Sequence, residues 1–203
     1  MGYERFFQES KRVSGSNKRV LIINPDLFTQ FMEAVAADSK LPADIKIFCL
    51  VAASSGGRVS EVLSLHKKDF NSNGLFDLAV LKKKRKKRDG QRLANGKYEM
   101  EPDDERTRLC RLHQAAVPIV DALLAHRKPQ EFLLRADRNQ ILYGLKKHFG
   151  PHMECHSFRH SHVSYLMNKG MTHLKIAKLV DIDVNNVSKY SHLNQAKTLE
   201  EIF

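Results

Sequence analysis

The run from Ile45 to Gly57 limits the fold more than any other part of the chain. Ile45, Phe48, Cys49, Val51 and Ala52 make a helix that is apolar almost all round, and such a helix belongs in the middle of a protein. Leu41-Pro42-Ala43-Asp44 restarts the chain before it, and Gly56-Gly57 ends it. A central helix needs cover on every side. Asn24-Pro25-Asp26, followed by Leu27, Phe28, Phe31 and Val35 at helical spacing, predicts one covering helix over about 25 to 37. Arg58 to Leu65 reads as a short helix whose first turn carries a charge beside the glycine pair. After a turn at Asp69 to Gly74, Leu75 to Leu81 and Leu109 to Leu112 read as the two strands of a hairpin. Val117, Ile119, Val120, Leu123 and Leu124 predict a helix with Pro118 in its first turns, and Gln140 to Phe149 predicts another, stopped at Gly150-Pro151. Three more follow at about 156 to 169, 172 to 180 and 184 to 193, separated by Gly170 and by Asp181-Ile182-Asp183. The expected fold class is mainly α with a small antiparallel β-hairpin or sheet. At 203 residues there is room for one well-buried domain and at most a small appendage. Residues 1 to 20, polar and basic around Ser14-Gly15-Ser16, read as a flexible lead-in or linker in which Phe6-Phe7 is the pair able to dock.

Charge decides what kind of partner to expect. A net charge of +11 favours a polyanion, with nucleic acid the leading candidate. No apolar run is long enough to span a membrane, and Leu21-Ile22-Ile23 is too short for the core of an export signal. The expected location is the cytoplasm. The densest block, Lys82-Lys83-Lys84-Arg85-Lys86-Lys87-Arg88, repels itself and suits a solvated loop or a nucleic-acid contact, and it also fits a nuclear localisation signal. It leads into Asp89 to Glu105, which reads as a long hairpin tip. Cys49, Cys110 and Cys155 are odd in number, far apart and without a CxxC pair, which suits free thiols rather than a disulfide framework.

The stretch Cys155-His156-Ser157-Phe158-Arg159-His160-Ser161-His162, with Tyr190 about thirty residues on, is the candidate site. A helix starting near His156 puts His156, Arg159 and His160 on neighbouring surface positions, a face suited to an anion. His156 offers a hydrogen bond or proton, Arg159 a planar fork for two phosphate oxygens, and a tyrosine hydroxyl a nucleophile. The plainer alternative is that these side chains pack in a core and find one partner each. His152, Cys155, His156 and His160 also have spacing that could chelate zinc.

Three segments resemble the boxes of the tyrosine recombinases, the phage-type integrase family. Ser55-Gly56-Gly57-Arg58-Val59-Ser60-Glu61-Val62-Leu63-Ser64-Leu65 is similar to its Arg-x-x-Glu box, His156-Ser157-Phe158-Arg159-His160 to its His-x-x-Arg-His box, and Tyr190-Ser191-His192 to its nucleophile segment. The resemblance implies a catalytic domain over residues 21 to 194 and a tail, 195 to 203, suited to docking on a neighbour. It implies that Arg58 and Arg159 clamp the non-bridging oxygens of a scissile DNA phosphate, with neither metal nor ATP required. Glu61 would orient Arg58, although the two residues also read as a plain surface ion pair. Tyr190 would attack and hold a 3′-phosphotyrosine, and His156 would assist proton transfer. Lys83 aligns best as the acid for the leaving 5′-oxygen, with Lys82 and Lys84 as rivals. Lys82, Lys84, Arg85, Lys86 and His160 would contact DNA. The implied partner is double-stranded DNA, bound by a homotetramer that is monomeric when free, and the implied outcome is recombination or integration of a mobile element.

One box departs from the family pattern. Where the family carries Leu-Gly-His ahead of the tyrosine, this chain has Leu179-Val180-Asp181. An acid there would repel a phosphate, so Asp181 faces away, or the site is slower, or another histidine such as His192 substitutes. Two further readings use the same residues. Ile176 to Tyr190 fits a helix-turn-helix with Ala177, Ile182 and Val187 at the packing positions, as in a non-catalytic DNA-binding regulator or an inactive recombinase relative. Type IB topoisomerases and telomere resolvases share the implied chemistry.

Overall fold

The computed structural model describes residues 2–11, 19–81 and 106–188. Two strands, β1 (Phe7–Lys11) and β2 (Arg19–Ile23), pair antiparallel with Phe7 opposite Ile23. The helices α1 (Phe28–Ala37), α2 (Ala43–Ser55) and α3 (Val59–Leu63) follow, then a second antiparallel pair, β3 (Leu75–Ala79) and β4 (Thr107–Arg111), with Phe76 opposite Cys110. The order ends with α4 (Val117–Ala125), α5 (Arg138–Phe149), α6 (Cys155–Asn168), α7 (His173–Val180) and α8 (Val184–Ser188). The class is the expected one, mainly helical with small antiparallel sheets. None of the described helices is long and apolar enough to cross a membrane.

α2 is the hub. Ile45 and every residue from Ile47 to Ala53 are buried, and α1, α3, α5, α6 and β4 all pack on it. The longest contact is with α6, where Phe158 meets Phe48 edge-on at 5.8 Å between ring centres and Phe31 at 6.4 Å. A smaller apolar group of Val163, Met167, Ile176, Ala177, Val180 and Val187 joins the outer half of α6 to α7 and α8. Cys49, Cys110 and Cys155 are buried free thiols, and burial raises the pKa of each.

The opening residues differ from a flexible lead-in. Tyr3 and Phe6 belong to the main core, with Tyr3 edge-on to Phe149 at 4.7 Å and Phe6 edge-on to Phe31 at 5.8 Å. The boundary expected at residue 21 falls within β2, whose partner β1 lies on the other side of it. Polar composition concealed this, because a few aromatic rings that each bury on the order of 150–250 Å² outweigh the polar residues between them. The end of β2 is also pinned from a distance. Ser161 Oγ accepts the Ile23 N–H at 2.8 Å while donating to the Ser157 carbonyl at 2.7 Å. Phe6→Ala is therefore expected to lower stability by about 3 kcal/mol in urea denaturation, the range for a buried aromatic truncation. A loosely attached segment would leave the midpoint unchanged.

Candidate active site

Two glycines after α2 shape the entry to the site. Gly56 closes the helix with φ 61°, in the left-handed region, and a Cβ there would stand 2.9 Å from the His162 ring. Conformation and space both require glycine. A Cβ on Gly57 would stand 2.9 Å from Val62 and 3.0 Å from Leu78, so α3 and β3 close tightly over it. The chain then enters α3 with Arg58 as the residue before the first turn.

Glu61 holds that entry in place. Its side chain is fully buried; Oε2 accepts the Arg58 backbone N–H at 2.8 Å and Oε1 accepts the Arg58 guanidinium at 2.5 Å. A buried carboxylate persists where it is paired and hydrogen-bonded, so this pair is an internal strut and not a surface ion pair. The Arg58 side chain keeps 30 % of its surface exposed. Its guanidinium is fixed by Glu61 while the side chain as a whole remains partly open to solvent.

Arg159 arrives from α6 on the opposite side. Expected on a surface face with His156 and His160, it is instead buried. Nη1 donates to the Gly56 carbonyl at 2.8 Å, and Nη2 donates to the carbonyls of Val180 at 2.7 Å and Asp181 at 3.2 Å. Arg58 Nη2 donates to the same Asp181 oxygen at 3.3 Å. Two guanidiniums far apart in the chain thus meet at one oxygen.

Asp181 closes α7 with φ 48° and ψ 64°. It does not face away: its carboxylate lies 3.7 Å from Arg58 Nη1, and its carbonyl takes both arginines. Its left-handed backbone is the shape glycine adopts freely.

The histidines of α6 differ sharply. His156 opens the helix at an exposed position, and its pKa lies below the ordinary value, first through desolvation and then through the nearby charges of Arg159 and Arg58. Its ring centre is 6.3 Å from that of His160, which is half-buried. His162, the last residue of the Cys155–His162 stretch, is half-buried. Its Nδ1 lies 2.7 Å from the Ala53 carbonyl, and burial, with Arg108 and Arg159 nearby, brings its pKa down to about 4. Among the described residues no three His, Cys, Asp or Glu side chains converge to hold a metal ion, so the zinc spacing of His152, Cys155, His156 and His160 is not realised as a site.

Sequence reading also missed Arg108 on β4. Nη1 donates to the carbonyls of Ser55 at 2.9 Å and Leu179 at 2.6 Å, and Nη2 stands 4.0 Å from Glu61 Oε2. The available signal was strand alternation, which puts position 108 on the same face as buried Cys110. Tyr190 and His192, and the basic residues Lys82, Lys83, Lys84, Arg85 and Lys86, lie outside the described residues. α8 is described to Ser188, two residues before Tyr190, and its inward residues are Val187 and, in the preceding turn, Ile182.

The fold that carries these side chains is similar to those of solved recombinases and integrases. The catalytic domain of bacteriophage HP1 integrase superposes with a TM-score of 0.53 at 13% identity, covering 86% of this chain and 90% of that one. The XerA recombinase gives 0.57 at 17% identity, over 86% of this chain and 61% of that one. The XerH site-specific recombinase bound to its palindromic difH substrate gives 0.60 at 14% identity, over 89% of this chain and 52% of that one. The chain spans about 60% of the solved portion of the Tn1549 transposon integrase, residues 82–397, with a TM-score of 0.54 at 14% identity. No curated protein matches the sequence at a significant level. The phage integrase family matches residues 22–197, and the chain belongs to that family.

The His162 environment sets a pH dependence. With a folded pKa of about 4 against an ordinary 6.5, the unfolded chain takes up a proton that the folded one refuses. This contribution to stability is complete above about 6.5 and is lost as the pH falls toward 4. His162→Phe should flatten the melting-temperature profile between those limits, as read by calorimetry at half-unit pH steps. A profile as steep as that of the unsubstituted protein would contradict the assignment.

Proposed function

We propose that this chain is a tyrosine site-specific recombinase, cutting and rejoining double-stranded DNA through a covalent 3′-phosphotyrosyl intermediate. The observation that carries the reading is the meeting of Arg58 and Arg159 at one oxygen, with His156 at the open edge. A phosphodiester brought to that edge meets the partly exposed Arg58 side chain. The charge on a pentacoordinate phosphorus is then stabilised by groups whose directions are already fixed. The Tyr190 hydroxyl attacks phosphorus and gives up its proton, with His156 assisting, while the P–O5′ bond breaks. Lys83, or one of its neighbours Lys82 and Lys84, gives a proton to the departing 5′-oxygen. In the second step a 5′-hydroxyl from another strand attacks the phosphotyrosine, restoring the tyrosine and the phosphodiester. Bond energy is retained in the intermediate, so the cycle needs no nucleotide cofactor.

The net charge of +11 supports a duplex partner. So does the fold shared with a recombinase bound to its difH substrate and a transposon integrase in complex with circular-intermediate DNA. On this reading the catalytic domain runs to residue 194 and includes the opening β1–β2 pair, residues 195 to 203 dock on a neighbouring copy, and the active assembly is a homotetramer on DNA in the host cytoplasm. Packing of Ala177, Ile182 and Val187 between α7 and α8 also suits a helix-turn-helix regulator. A regulator of that kind has no use for Glu61 buried under Arg58.

Nicked suicide duplexes decide between the two. The protein should yield a denaturation-resistant adduct mapping to Tyr190. Tyr190→Phe should abolish it while changing duplex affinity by less than about threefold, and Arg58→Ala should slow adduct formation by about 10²- to 10³-fold. Binding without any adduct would leave the regulator. Affinity should also fall by orders of magnitude over a fourfold rise in salt, because each phosphate contact releases counterions. A shallow slope would contradict a DNA partner.

A further inference from the structure

Arg108 has a placement that neither the fold nor the boxes explain. It is the second residue of β4, on the inward face, and its side chain is 10% exposed. Two of its bonds run to helix ends, the Ser55 carbonyl that closes α2 and the Leu179 carbonyl near the end of α7. Its Nε and Nη2 are buried with no hydrogen-bond partner, a costly condition for a guanidinium. What faces this unspent charge is Glu61, with Oε2 at 4.0 Å. That same oxygen accepts the Arg58 backbone N–H. Ser55 precedes Arg58 by three residues and Glu61 follows it by three, so Arg108 addresses both ends of the segment from which Arg58 projects.

We infer that Arg108 is a positioning residue for Arg58, anchoring Ser55 by hydrogen bond and Glu61 by charge so that the Arg58 guanidinium is held at a fixed angle toward the phosphate. Its catalytic consequence rests on the recombinase reading; its geometric part does not. Replacing it leaves Glu61 held by Arg58 alone, and a buried carboxylate with one cationic partner is free to rotate with it. A lysine keeps the charge but lacks the fork that reaches two carbonyls and a carboxylate together.

The test uses the full chain with Arg108→Gln and Arg108→Lys and two independent readouts. The first, without DNA, is hydrogen exchange of the Arg58 backbone amide by NMR. It should quicken by about tenfold or more in Arg108→Gln and by less in Arg108→Lys, because the amide's acceptor is no longer fixed. The second is single-turnover adduct formation on a nicked duplex. Arg108→Gln should slow it by about 30-fold or more while affinity changes by less than about threefold, yet by no more than about twofold when Arg58→Ala is already present, since residues acting through one another are not additive. Unchanged exchange in both variants, or equal slowing in both backgrounds, overturns the inference and leaves Arg108 as a structural clamp. If Arg108→Gln does not fold, Arg108→Lys decides by the same two criteria. Absence of an adduct with the unsubstituted protein would defeat the recombinase reading, and the amide exchange would then decide the positioning role alone.

Discussion

The carbonyls at the end of α7 have to find donors, and the site is built around how they do so. A helix leaves its last carbonyls without partners inside the helix. Here Leu179 is satisfied by Arg108, Val180 by Arg159, and Asp181 by Arg58 and Arg159 together. The negative end of the helix favours cations, so each bond is assisted by the helix as well as by geometry. Each guanidinium comes from a different part of the chain, and each also grips something at the other end of the site. Arg108 takes the Ser55 carbonyl, Arg159 takes that of Gly56, and Arg58 is tied to Glu61. The ends of α2 and α7 are thereby stapled to one another through arginine.

Much of the frame was legible because it follows from local rules. The all-round apolar run over α2, the glycine pair after it and the helical spacing before it place the hub and its first neighbour within about three residues of their observed bounds, Pro25–Leu27 forming a separate 3-10 turn ahead of α1. The glycine requirement at position 56 is readable as a helix end, but the pressure from the His162 ring is not, since it depends on two segments meeting in space. The same reason hides the burial of Arg159. Spacing puts residue 159 on a helix face with residues 156 and 160, but which face is turned inward is decided by the carbonyls waiting there. The opening hairpin was concealed differently. Its polar residues dominate the composition, while its place is fixed by Tyr3, Phe6 and a serine in α6. Asp181 combines the two difficulties, since nothing in the sequence announces a left-handed aspartate beside an arginine.

The imidazoles of α6 show how position on one helix divides chemistry from support. His162 is tied by Nδ1 to the Ala53 carbonyl, linking α6 to α2, and burial favours its neutral ring. His156 keeps an open side, yet the arginines beside it also favour the neutral ring. A neutral ring can accept a proton from a phenol, whereas a charged one cannot. The cations that would hold a phosphate therefore also prepare the residue expected to deprotonate the nucleophile.

Charge bookkeeping gives the inner site a preference of its own. Arg58, Arg108 and Arg159 bring three positive charges and Glu61 and Asp181 bring two negative ones, while the surroundings of His156 and His162 favour their neutral rings. The remainder is a single positive charge. A cluster with one positive charge to spare attracts an anion ahead of a neutral group.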